Sequence, residues 1–337
     1  MASPLDSTMG AWLVSLFLAT ILYGMGFIQT YLYFHWYTKD HWGVKAVVIC
    51  LLICETLHIT LYFCATYGAL IDHFGDFDKL FVITWPDVVQ LLAGYLSVFI
   101  VQMYFAHGIY AFLHNMQGTN VSVVAFVSET LKVLANPKYK IMPIFITIFA
   151  LLQIGAGIAQ TVIVAELGSF TLLSQTKRIT TLQAASALVC DVLITACLCY
   201  TLDSQKSTIK STNSILDTLK INAVNRGMLT AFAAALNIIL FISIPNSFWF
   251  SLALIPSGKL YMNSMLATLN TREHIRQRIQ HDSVGCNSIS LGNLSSHPSS
   301  GPTDPQKPAN TTIDISSLNG HKSHDEGKKH TFAANIV

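Results

Sequence analysis

Charge is scarce in this chain. Only 11% of its 337 residues are Asp, Glu, Lys or Arg, against about a quarter in ordinary soluble domains. With 52% hydrophobic residues and a mean hydropathy of +0.49, a soluble fold of this length would lack the polar surface to cover itself. The few charges fall in short clusters between long apolar stretches, the pattern of a chain that crosses a membrane several times. A basic leader region is missing too. Asp6 is the only charged side chain before the first apolar stretch, which then runs uncharged to Thr38. That is too long for a cleaved signal peptide, so it is expected to stay as a helix. Six of the seven cysteines lie inside apolar stretches and none is paired in an expected outer loop. No structural disulfide is expected, and Cys197-Leu198-Cys199 reads as apolar filling rather than a metal site.

A membrane helix needs roughly 20 apolar residues. Seven stretches qualify, at about 10–35, 44–71, 88–113, 142–164, 179–201, 227–244 and 247–268, with six the nearest alternative count. Pro245-Asn246-Ser247 separates the last two as a tight hairpin. The fold expected is all-α: a polytopic seven-transmembrane-helix bundle over residues 1–275, followed by a disordered tail over 276–337. From about Arg278 the tail is dominated by Ser, Pro, Asn, Gly and His, too polar to bury a core.

Orientation follows from Lys and Arg near the helix ends. Twelve fall on one side: Lys39, Lys45, Lys132, Lys138, Lys140, Lys206, Lys210, Lys220, Arg226, Arg272, Arg276 and Arg278. Three fall on the other, Lys79, Lys177 and Arg178, beside an acidic 72–87 loop carrying Asp72, Asp76, Asp78 and Asp87. The N-terminus is therefore expected outside and the C-terminus in the cytosol. The sequons at Asn120, Asn293 and Asn310 then fall on the cytosolic side and should carry no glycan. Within 202–226, Ile209, Ile215, Leu216, Leu219 and Val224 follow helical spacing among lysines. Two readings stand: an amphipathic segment on the inner membrane surface, or an extension of the sixth helix into water.

Ionisable groups at membrane depth are costly, so each is a candidate for function. At 1.5 Å per residue, Glu55, His58, Asp191 and Lys259 all lie roughly 15–20 Å into their helices. Asn237 is near the middle of the sixth, so five polar residues on four helices share one layer; His107 sits closer to the cytosolic end of the third. This layer serves a ligand, ion or proton, or it pairs internally and fixes the packing. The expected pair is Lys259 with Asp191 or Glu55. Pro256-Ser257-Gly258 beside it is expected to kink or break the seventh helix. Transporter breaks come as matched pairs in repeats, and no second break or repeat is present. A retinal protein would use the seventh-helix Lys259, but nothing else resembles an opsin, and Ile255 stands where an aspartate is expected one turn before that lysine. A metal hydrolase is opposed by the lack of any HxxxH or HExxH pair.

The C-terminal third carries Leu188-Val189-Cys190-Asp191-Val192-Leu193-Ile194, then Gly227-Met228-Leu229-Thr230-Ala231, then Lys259-Leu260-Tyr261-Met262-Asn263-Ser264-Met265-Leu266-Ala267-Thr268-Leu269-Asn270-Thr271-Arg272. This region, 188–272, resembles a large family of basidiomycete multi-pass membrane proteins that carry a C-terminal domain of unknown function. Tyr23-Gly24, Gln29-Thr30-Tyr31, Glu55-Thr56-Leu57-His58, Val101-Gln102 and Ile109-Tyr110 are similar to the same family, although Gly108 stands where an arginine is expected. The resemblance implies the fold, and a recurring role for Asp191, Lys259, Tyr261, Asn263 and Asn270. It implies no activity or cofactor. Asn263 and Asn270 are seven apart and share a helix face, a spacing that a hydrogen-bonded seam between helices explains as well as a ligand site would.

The expectation is an integral membrane protein that is not an enzyme, with receptor-like sensing or signalling first and a transporter or channel second. Its candidate residues are Glu55, His58, Asp191, Asn237, Lys259 and Asn263, with no metal and no cofactor. Its partners are the lipid bilayer and a cytosolic partner reached through the 202–226 loop and the tail, with no nucleic acid. Multi-pass insertion is expected, in the plasma membrane before internal membranes.

Overall fold

A computed structural model describes residues 6–115, 141–204, 210–244 and 247–292. It falls into two compact units, Met1–Asn270 and Thr271–Val337. The first contains the helices that position the candidate residues: α1 (Ala11–Trp36), α2 (Trp42–Tyr67), α3 (Trp85–Asn115), α4 (Ile141–Leu167), α5 (Lys177–Asp203), α6 (Lys210–Ser243) and most of α7 (Ser251–Gly292). No strand occurs among the described residues, only a single bridge between Val82 and Ser169. Helices are what such apolar runs must form, because a backbone in hydrocarbon has no water to satisfy its polar groups.

Local chemistry sets the helix ends. Thr84 and Asp87 form a capping box at the start of α3, with the Thr84 amide and hydroxyl both donating to Asp87 Oδ2, at 2.8 and 2.6 Å. The α4 helix stops at Gly168, whose φ of 64° is the left-handed value that ends helices. At the α1–α2 turn the Tyr33 hydroxyl donates to Asp40 at 3.1 Å, and Lys45 Nζ donates to the Thr38 carbonyl at 2.6 Å.

Neighbours in sequence pack side by side: α1 on α2, α2 on α3, α3 on α4, α4 on α5 and α5 on α6, with α3 also touching α5. The last helix, α7, runs inside the bundle. From Ser251 to Thr271 every residue is buried or half-buried except Ala267. Among the described residues, six helices, α1 to α6, are long and apolar enough to cross a membrane. Polar residues in α7, among them Ser251, Ser257, Lys259, Asn263 and Ser264, lower its hydropathy, and its neighbours shield them.

Two apolar clusters fill the bundle. The smaller, at the end that holds the start of α1, includes Met9, Trp12, Ala19, Tyr62, Phe248 and Ile255. It lies beneath a cap in which Phe170 N donates to the Phe81 carbonyl at 2.8 Å and Ile83 N to the Gly168 carbonyl at 3.0 Å. The larger, toward the opposite end, is built around Tyr33, Phe105, Ile109, Ile194, Met262 and Leu266.

Three expectations change. The α7 helix is unbroken through Pro256. Proline leaves the Leu252 carbonyl without its usual donor, but this falls early in the helix, where the following turns still close. The sixth helix starts at Lys210, not 227, so 210–226 extends α6, one of the two readings of that segment, while Leu202 and Asp203 end α5. Lys220 ties it to Asp203 at the end of α5 through an ion pair. Finally, α7 continues to Gly292, past the 276 boundary of the expected disordered tail. Extending a helix already nucleated in the bundle costs far less than starting one. The rest of that tail, the three sequons and Lys132, Lys138 and Lys140 lie outside the described residues.

Candidate functional site

The structure divides the expected polar layer between two faces of α7. On one face, Lys259 Nζ lies 3.0 Å from Glu55 Oε2, with both side chains fully buried. The same Nζ contacts His58 Nδ1. An ammonium can only donate, so His58 accepts at Nδ1 and carries its ring proton on Nε2. Glu55 and His58 are one turn apart on α2, which is why one lysine reaches both. Gly258 makes the approach possible: a Cβ there would run into the Glu55 carboxylate.

Tyr261 follows Lys259 by two residues, about 200° around the helix, and so faces the opposite way. Its hydroxyl donates to Asp191 Oδ2, and Gln102 Nε2 donates to Asp191 Oδ1 at 3.4 Å. Arg226 completes this cluster. Its guanidinium sits over the Phe105 ring, 3.6 Å from the centroid, close enough for its charge to act on Asp191. Of the two partners expected for Lys259, the structure gives it Glu55; Asp191 has its own set.

The other candidate residues fall elsewhere. Asn263 Nδ2 donates to the Leu22 carbonyl and Asn270 Nδ2 to the Gln29 carbonyl, both at 2.9 Å. Donors and acceptors are each seven residues apart in the same sense, so α1 and α7 run parallel along this seam. Gly26 lets them close, since a Cβ there would lie 2.9 Å from Asn263 Oδ1. Asn237 lies in neither charged cluster; it lines a cavity. His107 is half-buried on α3.

Two cavities meet between α3, α6 and α7. One, of about 40 Å³, is lined by His58, Gln90, Gln183, Asn237 and Tyr261 among others, and so reaches both charged clusters. The second, of about 60 Å³, lies under the cap among Trp12, Tyr62, Asp87, Phe170 and Phe248. Gln90, Leu91, Asn237, Leu254 and Ile255 line both. Each has room for a few waters or a small group. A run of rings follows the same course: Phe170 sits edge-on to Trp12 at 5.0 Å, Trp12 stacks on Tyr62 at 5.5 Å, and Tyr62 stacks on His58 at 6.5 Å.

Sequence reading missed Arg226, counting it as an inner-loop charge, because an arginine one turn before an apolar run looks interfacial. Gln90 and Gln102 were missed because an uncharged amide does not stand out in a hydropathy profile. The spacing of Gln90 from Asp87, one turn on the same face, was the available signal. Among the described residues, no three His, Cys, Asp or Glu side chains come together as a metal site.

No curated protein and no solved structure matches the chain. Residues 187–274 match the model of a family of unknown function (DUF6534). The matched stretch holds Asp191, Arg226, Asn237, Lys259, Tyr261 and both seam asparagines, while Glu55 and His58 lie outside it.

Proposed function

We propose that this chain is a seven-helix receptor-like membrane protein, with its N-terminus outside and its C-terminus in the cytosol. In this reading α7 is the seventh crossing. Its parallel run beside α1 supports an odd position, since helices that cross in the same direction are an even number of crossings apart. The resemblance over 188–272 supports a place among the basidiomycete family described above. The chain works as a sensor, not an enzyme, in the plasma membrane, and a cytosolic partner meets the start of α6 and the tail.

One observation carries the reading: the capped cavity leads to His58, and His58 touches the buried lysine of α7. A group that bonds His58 Nε2 from the cavity competes with, or reinforces, the Nδ1 contact to Lys259. That contact and the Glu55 ion pair hold α2 to α7, the helix that leads toward the tail. A transporter would need the pathway to continue. Beyond Tyr261 the space is filled instead by Met262, Met265, Leu266 and Leu269, each 1% exposed or less.

Cys286, a native thiol on α7, gives the test. With the full chain in nanodiscs, the rate at which a charged maleimide labels it is compared between the wild type and Glu55→Gln. The sensor reading expects a changed rate, together with no gradient-driven uptake of protons, Na⁺ or K⁺ into proteoliposomes. An unchanged rate, or uptake abolished by Asp191→Asn, overturns it.

A further inference from the structure

Asp87 has a structural task that uses only half of it. Its Oδ2 accepts both bonds of the capping box. Its Oδ1 is buried and has no hydrogen-bond partner in the protein. The same holds for Gln90 Oε1 and Asn237 Oδ1. All three residues line the cavity under the cap, and their relative exposures are 6%, 6% and 5%. A buried acceptor left unpaired carries its full desolvation cost, and a carboxylate carries the largest. Capping therefore explains one oxygen of Asp87 and leaves the other without a partner in the protein, on a residue that lines the cavity.

What surrounds these acceptors narrows the ligand. The walls are aromatic: Trp12, Tyr62, Phe170, Phe241, Phe248 and Phe250. Their faces favour a cation, most strongly where water is excluded. Neither the buried Lys259 nor the half-buried Arg226 lines this cavity, and no Lys or Arg among the described residues stands in its walls to neutralise the Asp87 charge. Three acceptor oxygens match the three N–H donors of a primary ammonium. A volume of about 60 Å³ admits such a head group on a short apolar body.

We propose that the cavity under the cap binds the primary ammonium group of a small amine, with Asp87 as counter-ion, Gln90 and Asn237 as further acceptors, and the rings as walls. This rests on the sensor reading above by naming what that sensor detects. The amine comes free from solution or as the head group of an aminophospholipid; the chemistry at Asp87 is the same.

The probe is propylammonium, added to the purified full chain in phosphatidylcholine nanodiscs, with Tm and Trp fluorescence as readouts. Propylammonium should raise Tm with a saturable dose dependence, and propan-1-ol at equal concentration should not. Asp87→Asn keeps an oxygen for the capping box and should weaken propylammonium at least tenfold. Gln90→Met should weaken it severalfold. Where Asp87→Asn does not melt cooperatively, Asn237→Leu carries the same expectation. Equal shifts with propan-1-ol, or undiminished binding by these variants, overturn the proposal. With phosphatidylethanolamine added to the nanodiscs, an unchanged affinity identifies a free amine and competition identifies the lipid head group. Loss of binding with an intact Cys286 response removes the ligand and leaves the sensor. Binding without any Cys286 response leaves the site and removes the sensor.

Discussion

Toward the amino-terminal end of the bundle, Trp12, Tyr62, Phe170 and Phe248 stand around open space, with Asp87, Gln90 and Asn237 also in its lining. Toward the other end, Tyr33, Phe105, Met262, Leu266 and Leu269 are packed against one another in a continuous apolar cluster. Among the described residues, α1 to α5 and α7 contribute to both ends, whereas α6 lends Asn237 and Phe241 to the first and nothing to the packed cluster. The difference lies in side-chain shape and partnering: flat rings that meet edge to face leave gaps, whereas flexible Met and Leu fill them. One end of this protein holds open space and the other is packed shut, with the Glu55–His58–Lys259 cluster at the boundary.

The boundary cluster should give the largest effect. Lys259→Met removes one partner and leaves Glu55 buried without its counter-charge, which costs about 3–5 kcal/mol. Thermal unfolding in detergent should show this loss, and adding Glu55→Gln to Lys259→Met should restore most of it. If the double variant is no more stable than the single one, the ion pair is not what joins the two ends. Gly258→Ala tests the same contact without touching a charge. Its methyl displaces the Glu55 carboxylate, and the overpacking should cost roughly 1–3 kcal/mol.

The two ends can be compared directly by truncating one leucine in each. Leu266 is fully buried in the packed cluster, so Leu266→Ala should cost about 2–5 kcal/mol through lost contacts and a new cavity. Leu254 already borders both cavities. Leu254→Ala only enlarges existing space and should cost about 1 kcal/mol or less, since fewer atoms lose contacts. Equal losses measured by unfolding would mean that the cavity end is as tightly packed as the other, and the contrast would fail.

How much of this could be read from residues alone follows from the physics of each signal. Hydropathy integrates over some 20 residues, so the six lipid-facing helices were legible and the shielded α7 was legible only as a polar-studded stretch. The midplane ionisable groups were legible one by one, because each is anomalous where it stands. Their partners were not. Lys259 had two acidic candidates at equal depth, and the choice of Glu55 over Asp191 depends on the 200° between positions 259 and 261 and on how α7 is rotated. Pro256 misled because its helix-breaking tendency is local, while the continuity of α7 is enforced by packing on every side. The shared face of Asn263 and Asn270 was legible from spacing alone, since a seven-residue period survives any rotation of the helix as a whole, but the choice between a seam and a ligand site needed the α1 carbonyls.

That seam gives the smallest expected effect and the finest comparison. Asn263→Ala and Asn270→Ala each remove one donor to a carbonyl of α1. Those carbonyls keep their own helical partners, so neither substitution strands a buried acceptor on α1. Interhelical hydrogen bonds of this kind average about 0.6 kcal/mol, and each variant should lose about that much in unfolding measurements. The two sites are roughly 10 Å apart along the helix, far enough for their effects to add. Asn263 lies beside Met262, where the packed cluster begins next to Tyr261 of the cavity lining, whereas Asn270 lies beside Leu269, two turns further into that cluster. If the two losses are equal, the seam is a uniform rail that positions α7 along its length. If Asn270→Ala costs several times more than Asn263→Ala, α7 is anchored at its packed end and hinged at the end nearer the cavity, which is the arrangement a ligand-driven movement of Lys259 requires.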